Sequence, residues 1–323
     1  MSKLSDRTFS SRQEANFAYI MGRIRKQDKD MGGVFTESTG MQGAAKTSAM
    51  LSFVDDNILK HPDQKNFWRN TYDSPLQFTK LTPGSWEILV EDSIDVVFYE
   101  RKAGLPPVNL EGLVKKFSSF SELYEIATPG KCSSIFFQDE TSWYGFLKYL
   151  RKTGEWSHVF FDEYGELFPA NPSGALYRMI MDASTDLGEV RKCFINVHAT
   201  TQMTSDVDYR VRGKIMIFIY FPGARVESRG LVKQIAVNSL DLNPIKGNQA
   251  WMELRQHRYG KGRFTQIYKP REYMDWMARR PDDAVRISDY LKDPYKSRKG
   301  GRPRKNRPGD EDADGKVLTY DNY

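Results

Sequence analysis

A lysine and a threonine follow a short glycine-containing stretch near the start of the chain. The stretch, TGMQGAAKT, covers residues 39–47 and lies between a predicted strand at residues 33–36 and a predicted helix at residues 46–59. A loop that enters a helix N-terminus can direct consecutive backbone N–H groups at one anion, and the helix dipole strengthens the attraction. In such a loop Lys46 would reach the β- and γ-phosphates of a nucleotide, and the Thr47 hydroxyl would coordinate Mg²⁺. The nucleotide-binding residues predicted from this pattern are Gly40, Gly43, Ala44, Ala45, Lys46, Thr47 and Ser48.

One position departs from the usual phosphate-loop pattern, which is glycine, four residues, then Gly-Lys-Ser/Thr. Ala45 occupies the place of the second glycine. Its methyl group either crowds the phosphates or is tolerated, and the sequence leaves both outcomes open. Taken alone, the stretch is equally compatible with an ordinary glycine-rich turn before a helix.

Two adjacent carboxyl groups follow an apolar run later in the chain. The run HVFF at residues 158–161 predicts a buried strand, and Asp162 and Glu163 come directly after it. In nucleotide-hydrolysing enzymes such a strand lies beside the phosphate loop, with the aspartate holding the hydration shell of Mg²⁺ and the glutamate polarising the attacking water. The alternative is a strand end with solvated acids. Together with the upstream loop, the pair favours the catalytic interpretation.

Polar and cationic residues follow the next predicted strand, residues 194–198. That strand continues into Ala-Thr-Thr-Gln, and a polar side chain there would face the γ-phosphate and sense hydrolysis. Gln202 is the first candidate and Thr201 the second. Arg210 or Arg212 could reach the γ-phosphate of a neighbouring subunit, which requires a head-to-tail ring. A surface network of aspartate and arginine side chains is the alternative for either arginine.

Candidate strands alternate with candidate helices along most of the chain. Further strands are predicted at residues 67–70, 86–90, 96–100, 134–137 and 215–221, and further helices at residues 142–151 and 174–184. Several strands are unbroken apolar runs such as VFF, CFINV and IMIFIYF, which a parallel sheet covered on both faces requires. The sequence therefore predicts an α/β fold with a central, mostly parallel sheet.

Both ends of this core carry predicted additions. Residues 11–26 have an apolar stripe with helical spacing, and we expect this helix to pack on the core rather than on a membrane surface, because the stripe is short and lacks tryptophan. Residues 251–257 and 263–268 flank Tyr-Gly-Lys-Gly at 259–262, which predicts an antiparallel hairpin added to the sheet. The predicted divisions are an N-terminal helical extension at 1–30, the main domain at 31–275, a helical segment at 276–295 and a disordered basic and acidic tail at 296–323.

Length and composition fit one large α/β domain with extensions. The chain has 323 residues, 39% of them hydrophobic and 28% charged, and a net charge of +6. No run of about 20 apolar residues predicts a membrane span, and the first residues lack the apolar stretch of a secretory signal. Cys132 and Cys193 lie far apart, without the paired spacing of a zinc site. We therefore expect a cytoplasmic protein.

In this order and spacing, the motifs resemble those of the HerA–FtsK superfamily. The resemblance rests on GxxGxxKT, an apolar strand ending in Asp-Glu, a strand ending in Ala-Thr-Thr-Gln, and Arg-x-Arg soon after. It covers residues 32–221, and the superfamily includes DNA pumps, conjugation coupling proteins, viral genome-packaging ATPases and Zot-like phage ATPases. The resemblance implies a RecA-like P-loop fold that binds ATP and Mg²⁺, assembles as a homo-oligomeric ring, often a hexamer, and moves double-stranded DNA through its pore.

The resemblance also implies a role for each candidate residue. Lys46 and Thr47 would bind the nucleotide and Asp162 the metal, while Glu163 would be the catalytic base. Gln202 would be the sensor, and Arg210 or Arg212 the arginine that acts in trans. Because the sequence has no transmembrane anchor, a virus- or plasmid-encoded member is the version expected.

The tail carries a second DNA-binding signal. Gly-Gly-Arg-Pro-Arg-Lys at 300–305 resembles an AT-hook, whose extended Gly-Arg-Pro core lies in the minor groove of A·T-rich DNA. Gly300 stands where an arginine usually precedes that core, so groove specificity stays open, as does a merely solubilising tail. The residues expected to contact DNA are Lys299, Arg302, Arg304 and Lys305.

Three functions remain in competition. The first is an ATP-driven DNA motor that translocates or packages DNA. The second is an ATP-regulated DNA-binding switch in replication initiation or partition, in which hydrolysis is slow. The third is a small-molecule kinase, against which the basic tail and the lack of an arginine-rich lid argue.

Overall fold

A ten-stranded sheet runs through the part of the chain that the structure describes. The structure is a computed structural model and describes residues 11–25, 27, 32–69, 84–94, 114–225, 240, 248–254 and 258–264. The strands are β1 (Phe35–Thr39), β2 (Lys65–Arg69), β3 (Trp86–Glu91), β4 (Val114–Phe117), β5 (Cys132–Phe136), β6 (Ser157–Phe161), β7 (Ile195–Thr201), β8 (Ile217–Tyr220), β9 (Asn248–Leu254) and β10 (Arg258–Phe264). The helices are α1 (Ser11–Arg25), α2 (Lys46–Lys60), α3 (Phe120–Ile126), α4 (Ser142–Thr153), α5 (Gly174–Glu189) and α6 (Tyr209–Arg212), with a 3-10 turn at Thr204–Asp206.

The strand order is β10-β9-β8-β1-β7-β6-β2-β5-β3-β4. Strands β1 to β8 pair in parallel, whereas β9 pairs antiparallel with β8 and β10 pairs antiparallel with β9. Parallel strands end at a common edge, and in this sheet Thr39 of β1 is in register with Thr201 of β7. The loops that follow β1, β6 and β7 therefore leave from the same edge.

Apolar layers cover both faces of the sheet. One layer includes residues of α1 and α2, and the other includes residues of α3, α4 and α5. Within β6, Phe160 packs in the first layer while Val159 and Phe161 pack in the second. Burial on both faces explains why this strand is a continuous apolar run, and it confirms the predicted mostly parallel α/β fold.

Helix α1 packs on the hairpin that extends the sheet. Ile20, Met21 and Ile24 are buried, as their helical spacing predicts. A Cβ atom added to Gly260 would lie only 2.3 Å from the backbone nitrogen of Phe17, and one added to Gly262 would lie 2.5 Å from the Phe17 ring. The two glycines of β10 therefore allow the close approach of the helix.

Several sequence-based details differ from the structure. Residues 259–262 do not form the hairpin turn, because they lie inside β10, where the pairing with β9 and the contact with α1 require an extended chain. Strand β4 and helix α3 lack a strong pattern and were not predicted. The predicted strand at 96–100, the helical segment at 276–295 and the tail at 296–323 lie outside the described residues, so these domain boundaries stay predictions.

One strand separates the phosphate-loop strand from the acid strand. The strand that ends at the acid pair, β6, is not adjacent to β1, because β7 lies between them and pairs with both. None of the described helices is long and apolar enough to cross a membrane.

Candidate functional site

The loop between β1 and α2 has a backbone that small residues make possible. A Cβ atom on Gly40 would lie 2.8 Å from the Cβ of Phe221, so only glycine fits beside the end of β8. Gly43 has a φ of 76°, and Ala45 has a φ of 72°. The left-handed region is unfavourable for alanine, so Ala45 adopts at a cost the conformation that glycine would adopt freely.

Backbone amides at the start of α2 are available to an anion. The Ala44 amide donates to the Met41 carbonyl at 3.2 Å, and the Ala44 side chain is buried in the core. Within the described part of the chain, the amides of Gly43, Ala45, Lys46, Thr47 and Ser48 donate to no protein group. Unpaired N–H groups at a helix N-terminus form an anion site. Of the loop residues predicted to bind phosphate, Ala44 alone has its amide occupied within the loop.

The Lys46 side chain turns back onto the loop. Its exposed fraction is 6%, and its ammonium group donates to the carbonyls of Gly40 at 3.1 Å and Met41 at 3.2 Å. Burial lowers the pKa of Lys46, and the nearby charges of Glu163 and Asp162 oppose that shift. The predicted lysine and the predicted acid pair therefore lie close enough to interact.

Thr47 and Asp162, the two predicted metal ligands, are in direct contact. The Thr47 hydroxyl lies 3.2 Å from both oxygens of the Asp162 carboxyl group. The Thr200 hydroxyl donates to one of these oxygens at 2.5 Å. Burial raises the pKa of Asp162, although the hydrogen bonds from Thr200 and Thr47 and the charge of Lys46 act in the opposite direction.

Glu163 and Gln202, the predicted base and sensor, also face each other. The Gln202 amide nitrogen is 3.5 Å from a Glu163 carboxyl oxygen. Burial and the charge of Asp162 raise the pKa of Glu163, which suits a proton acceptor working near neutral pH. Glu163 has a φ of 48°, and its amide donates to the Thr200 hydroxyl at 3.1 Å. Thr200 therefore contacts both acidic residues, through the Asp162 carboxyl group and the Glu163 amide. Thr201, the second sensor candidate, donates to the Met203 carbonyl.

Arg69, at the end of β2, is a residue of this site that the sequence reasoning missed. Its guanidinium donates to the Asp162 carbonyl at 2.9 Å, and it pairs with Glu140 at 2.7 Å and Glu166 at 3.2 Å. Only 2% of Arg69 is exposed. An arginine that ends an apolar strand is the signal that could have identified it, because a buried arginine needs anionic partners.

The two candidate trans arginines lie in α6, away from the hydrogen bonds that connect the acids. Arg210 forms a bidentate pair with Asp208, at 2.8 Å and 2.5 Å, and its guanidinium lies over the Tyr177 ring. This arrangement matches the aspartate–arginine network considered as the alternative role. Arg212 lies near enough to Tyr164 for its charge to lower the pKa of that phenol, against larger opposing effects of burial and Glu37. The four predicted DNA-binding residues of the tail lie outside the described residues.

The donor set fits a magnesium nucleotide. A threonine hydroxyl and a carboxyl group in contact provide the hard oxygen ligands that Mg²⁺ prefers. A divalent cation would also stabilise the charged form of the two acids, whose pKa values burial raises. A Cβ atom added to Gly43 would have no atom within 4 Å, so the rest of the protein does not cover the loop at this residue.

The fold of this chain is similar to that of several solved structures, although the sequence identities are low. No protein-family model and no curated protein matches the sequence. A structure of the bacterial conjugative coupling protein TrwB, in complex with sulphate, matches with a TM-score of 0.51 at 11% identity, over 84% of this chain and 99% of that chain. The genome packaging NTPase from Sulfolobus turreted icosahedral virus 2, in complex with sulfate, gives 0.44 at 12% identity, over 74% and 97%. The N-terminal domain of zonular occludens toxin from Neisseria meningitidis gives 0.35 at 13% identity, over 76% and 98%. The fold shared with the coupling protein is a RecA-like P-loop NTPase fold.

Proposed function

We propose that this chain, which has a RecA-like P-loop fold, is an ATPase of the HerA–FtsK superfamily that couples ATP hydrolysis to the movement or packaging of DNA. One observation carries the ATPase part. Lys46, Thr47, Asp162 and Glu163 meet at one edge of the sheet, with the Thr47 hydroxyl 3.2 Å from both Asp162 oxygens. Lysine, threonine, aspartate and a water-positioning residue are the types that P-loop NTPases use to bind a magnesium nucleotide and to orient the attacking water.

Each residue of the set has a distinct task. On nucleotide binding, the Lys46 ammonium exchanges the carbonyls of Gly40 and Met41 for phosphate oxygens. Thr47 and Asp162 would hold Mg²⁺, which neutralises charge on the phosphates. Glu163 orients the attacking water and accepts its proton, and Gln202, 3.5 Å away, fixes the direction of the Glu163 carboxyl group.

The DNA part of the proposal rests on the sequence. The basic residues Lys299, Arg302, Arg304 and Lys305 would contact double-stranded DNA, and A·T-rich DNA if the tail enters the minor groove. A homo-oligomeric ring, a hexamer in the proposed form, would place Arg210 or Arg212 at the neighbour's nucleotide. Arg210 must first leave Asp208 to do so. We further propose that the protein is virus- or plasmid-encoded and works in the cytoplasm.

A second function is kept because of Ala45. A methyl-bearing residue in the left-handed region at the start of α2 adds strain and bulk where the phosphates would lie. If this slows hydrolysis, the protein is an ATP-regulated DNA-binding switch rather than a motor.

The proposal is tested by measuring ATP turnover with and without duplex DNA. Lys46→Ala should reduce ATP binding, whereas Glu163→Gln should keep binding and reduce kcat by about 100-fold or more, because it removes the proton acceptor. Matched controls are Lys192→Ala and Glu189→Gln, which change the same residue types in a surface ion pair of α5 and the turn after it, and should leave turnover unchanged.

The outcomes separate the two functions. Continuous turnover stimulated by DNA supports the motor, and ATP-dependent DNA binding with little turnover supports the switch. Absence of ATP binding by the wild-type protein would exclude both. Native mass measurement with ATP tests the ring.

A further inference from the structure

A buried glutamate lies inside the strand that leads to the phosphate loop. Glu37 is the middle residue of β1 and is 0% exposed. The Tyr164 hydroxyl donates to one of its carboxyl oxygens, and the Thr204 hydroxyl donates to the other at 3.1 Å. An acidic side chain in the core is costly unless its oxygens are satisfied, so this arrangement needs an explanation beyond strand formation.

The two donors belong to the two segments that carry the proposed base and sensor. Tyr164 directly follows Glu163, and Thr204 lies two residues after Gln202. The Tyr164 amide donates to the Thr200 carbonyl at 2.9 Å, which ties the first segment to the end of β7. Glu37 is therefore connected through one side chain to each segment.

The local backbone makes such a connection effective. Glu163 has a positive φ, a strained conformation that persists only where its surroundings fix it. The Tyr164 side chain is 0% exposed, so packing fixes its ring in addition to the hydrogen bond of its hydroxyl. On the other side, Thr39 of β1 donates to the Gln202 carbonyl at 3.4 Å, so the same strand contacts the sensor segment twice.

We propose that Glu37 is a positioning residue, which holds the Glu163 and Gln202 segments at a fixed distance from the phosphate loop through Tyr164 and Thr204. The proposal rests on the proposed ATPase function. Because β1 continues directly into the loop, a movement of the loop on nucleotide binding is transmitted through Glu37 to both segments. The strand thus couples occupancy of the phosphate site to the geometry of the proposed base and sensor.

The test removes one hydrogen-bond donor at a time while preserving shape. Thr204→Val and Tyr164→Phe should lower kcat by about 10- to 100-fold, the effect of a small displacement of reacting groups, and change the Kd for ATP by less than about twofold. Thr204→Ser keeps the hydroxyl and should restore kcat. Thr36→Val is the matched control. It also removes a buried hydroxyl from β1, but that hydroxyl contacts His198 and neither of the two segments.

Hydrogen exchange gives a readout that does not depend on turnover. Without nucleotide, Thr204→Val and Tyr164→Phe should speed exchange in both residues 162–166 and residues 202–206, whereas Thr36→Val should not. Faster exchange in only the segment that carries the substitution would overturn the proposal. So would a kcat loss no larger than that of Thr36→Val, or one that Thr204→Ser does not restore.

The two proposals can fail separately. If the wild-type protein binds ATP but does not hydrolyse it, the motor is excluded, and exchange in both segments still decides whether Glu37 links them. If turnover occurs but the exchange rates are unchanged, the ATPase stands and the positioning role is wrong.

Discussion

Strained residues concentrate at the candidate site. Within the described residues, three non-glycine residues have a positive φ, and two of them are Ala45 of the phosphate loop and Glu163 of the acid pair. Such conformations persist where the surrounding structure fixes them, and they are common at functional sites. Ala45 adopts the left-handed backbone angles that glycine would have used, so the loop keeps this conformation at the cost of strain.

Replacing this alanine should therefore stabilise the protein. We expect Ala45→Gly to raise the free energy of unfolding by about 1 kcal/mol, because it removes the left-handed strain of an L-residue. Ala44→Gly, next to it, should lower that free energy, since Ala44 is buried and its φ is not positive. Chemical denaturation of the two variants tests this, and a destabilising Ala45→Gly would contradict it.

At the scale of elements, the site depends on strands that are distant in sequence. Strand β7 separates the phosphate-loop strand from the acid strand, and its Thr200 donates to Asp162 and accepts from Glu163. Strand β2 supplies Arg69 from the other side of β6. At the far end of the sheet, α1 contacts β10 so closely that a side chain on Gly260 would collide with the helix backbone.

Two glycine substitutions probe this contact in opposite directions. Gly260→Ala should lower the free energy of unfolding by about 1 to 3 kcal/mol, because its Cβ atom would lie 2.3 Å from the Phe17 nitrogen. Gly22→Ala, on α1 itself, should raise it by about 0.5 to 1 kcal/mol, because no atom lies within 4 Å of the added methyl group and alanine favours helix. Thermal unfolding measures both, and equal effects would mean that α1 does not pack on β10 as described.

At the scale of the whole molecule, a buried polar network connects the helical layer to the sheet. The Gln27 amide nitrogen donates to the Asn57 side-chain oxygen at 2.8 Å and lies 2.9 Å from the His158 ring. The His198 ring contacts the Thr36 hydroxyl at 2.8 Å. Burial lowers the pKa of His158 well below its ordinary value and the pKa of His198 from 6.5 to about 3. Both imidazoles are therefore neutral in the folded protein.

This network predicts a loss of stability in acid. Folding lowers the pKa of His198, so between pH 6.5 and about 3 the unfolded chain binds a proton that the folded protein does not. The stability that neutral His198 contributes is therefore fully present above pH 6.5 and is lost as the pH falls towards about 3. The free energy of unfolding should fall more steeply in the wild type than in His198→Gln, by about 1.4 kcal/mol per pH unit. Urea unfolding between pH 6.5 and pH 4 gives both slopes. Parallel slopes would show that His198 is not a buried neutral group.

Features that depend on residues close together in the chain could be predicted from the sequence alone. The phosphate loop lies between a strand and a helix, as its glycines and the following apolar spacing indicate, and the bounds of α2 agree with the prediction to within one residue. The apolar run before Asp162 and Glu163 is a buried strand. The α/β fold class followed from the same local signals, because the period and length of apolar runs report which elements are covered on both faces.

Contacts between residues that are distant in the chain could not be predicted in this way and follow from the fold. Strand β7 lies between β1 and β6, and its Thr200 contacts Asp162, 38 positions away. Arg69 contacts Asp162 across 93 positions. Tyr164 and Thr204 contact Glu37 across 127 and 167 positions. Nothing local in the chain specifies these partners, because strand order is set by long-range pairing and by how the connecting segments cross the sheet. The position of the hairpin turn was missed for the same reason: the glycines that indicated a turn are required by a helix more than two hundred residues away.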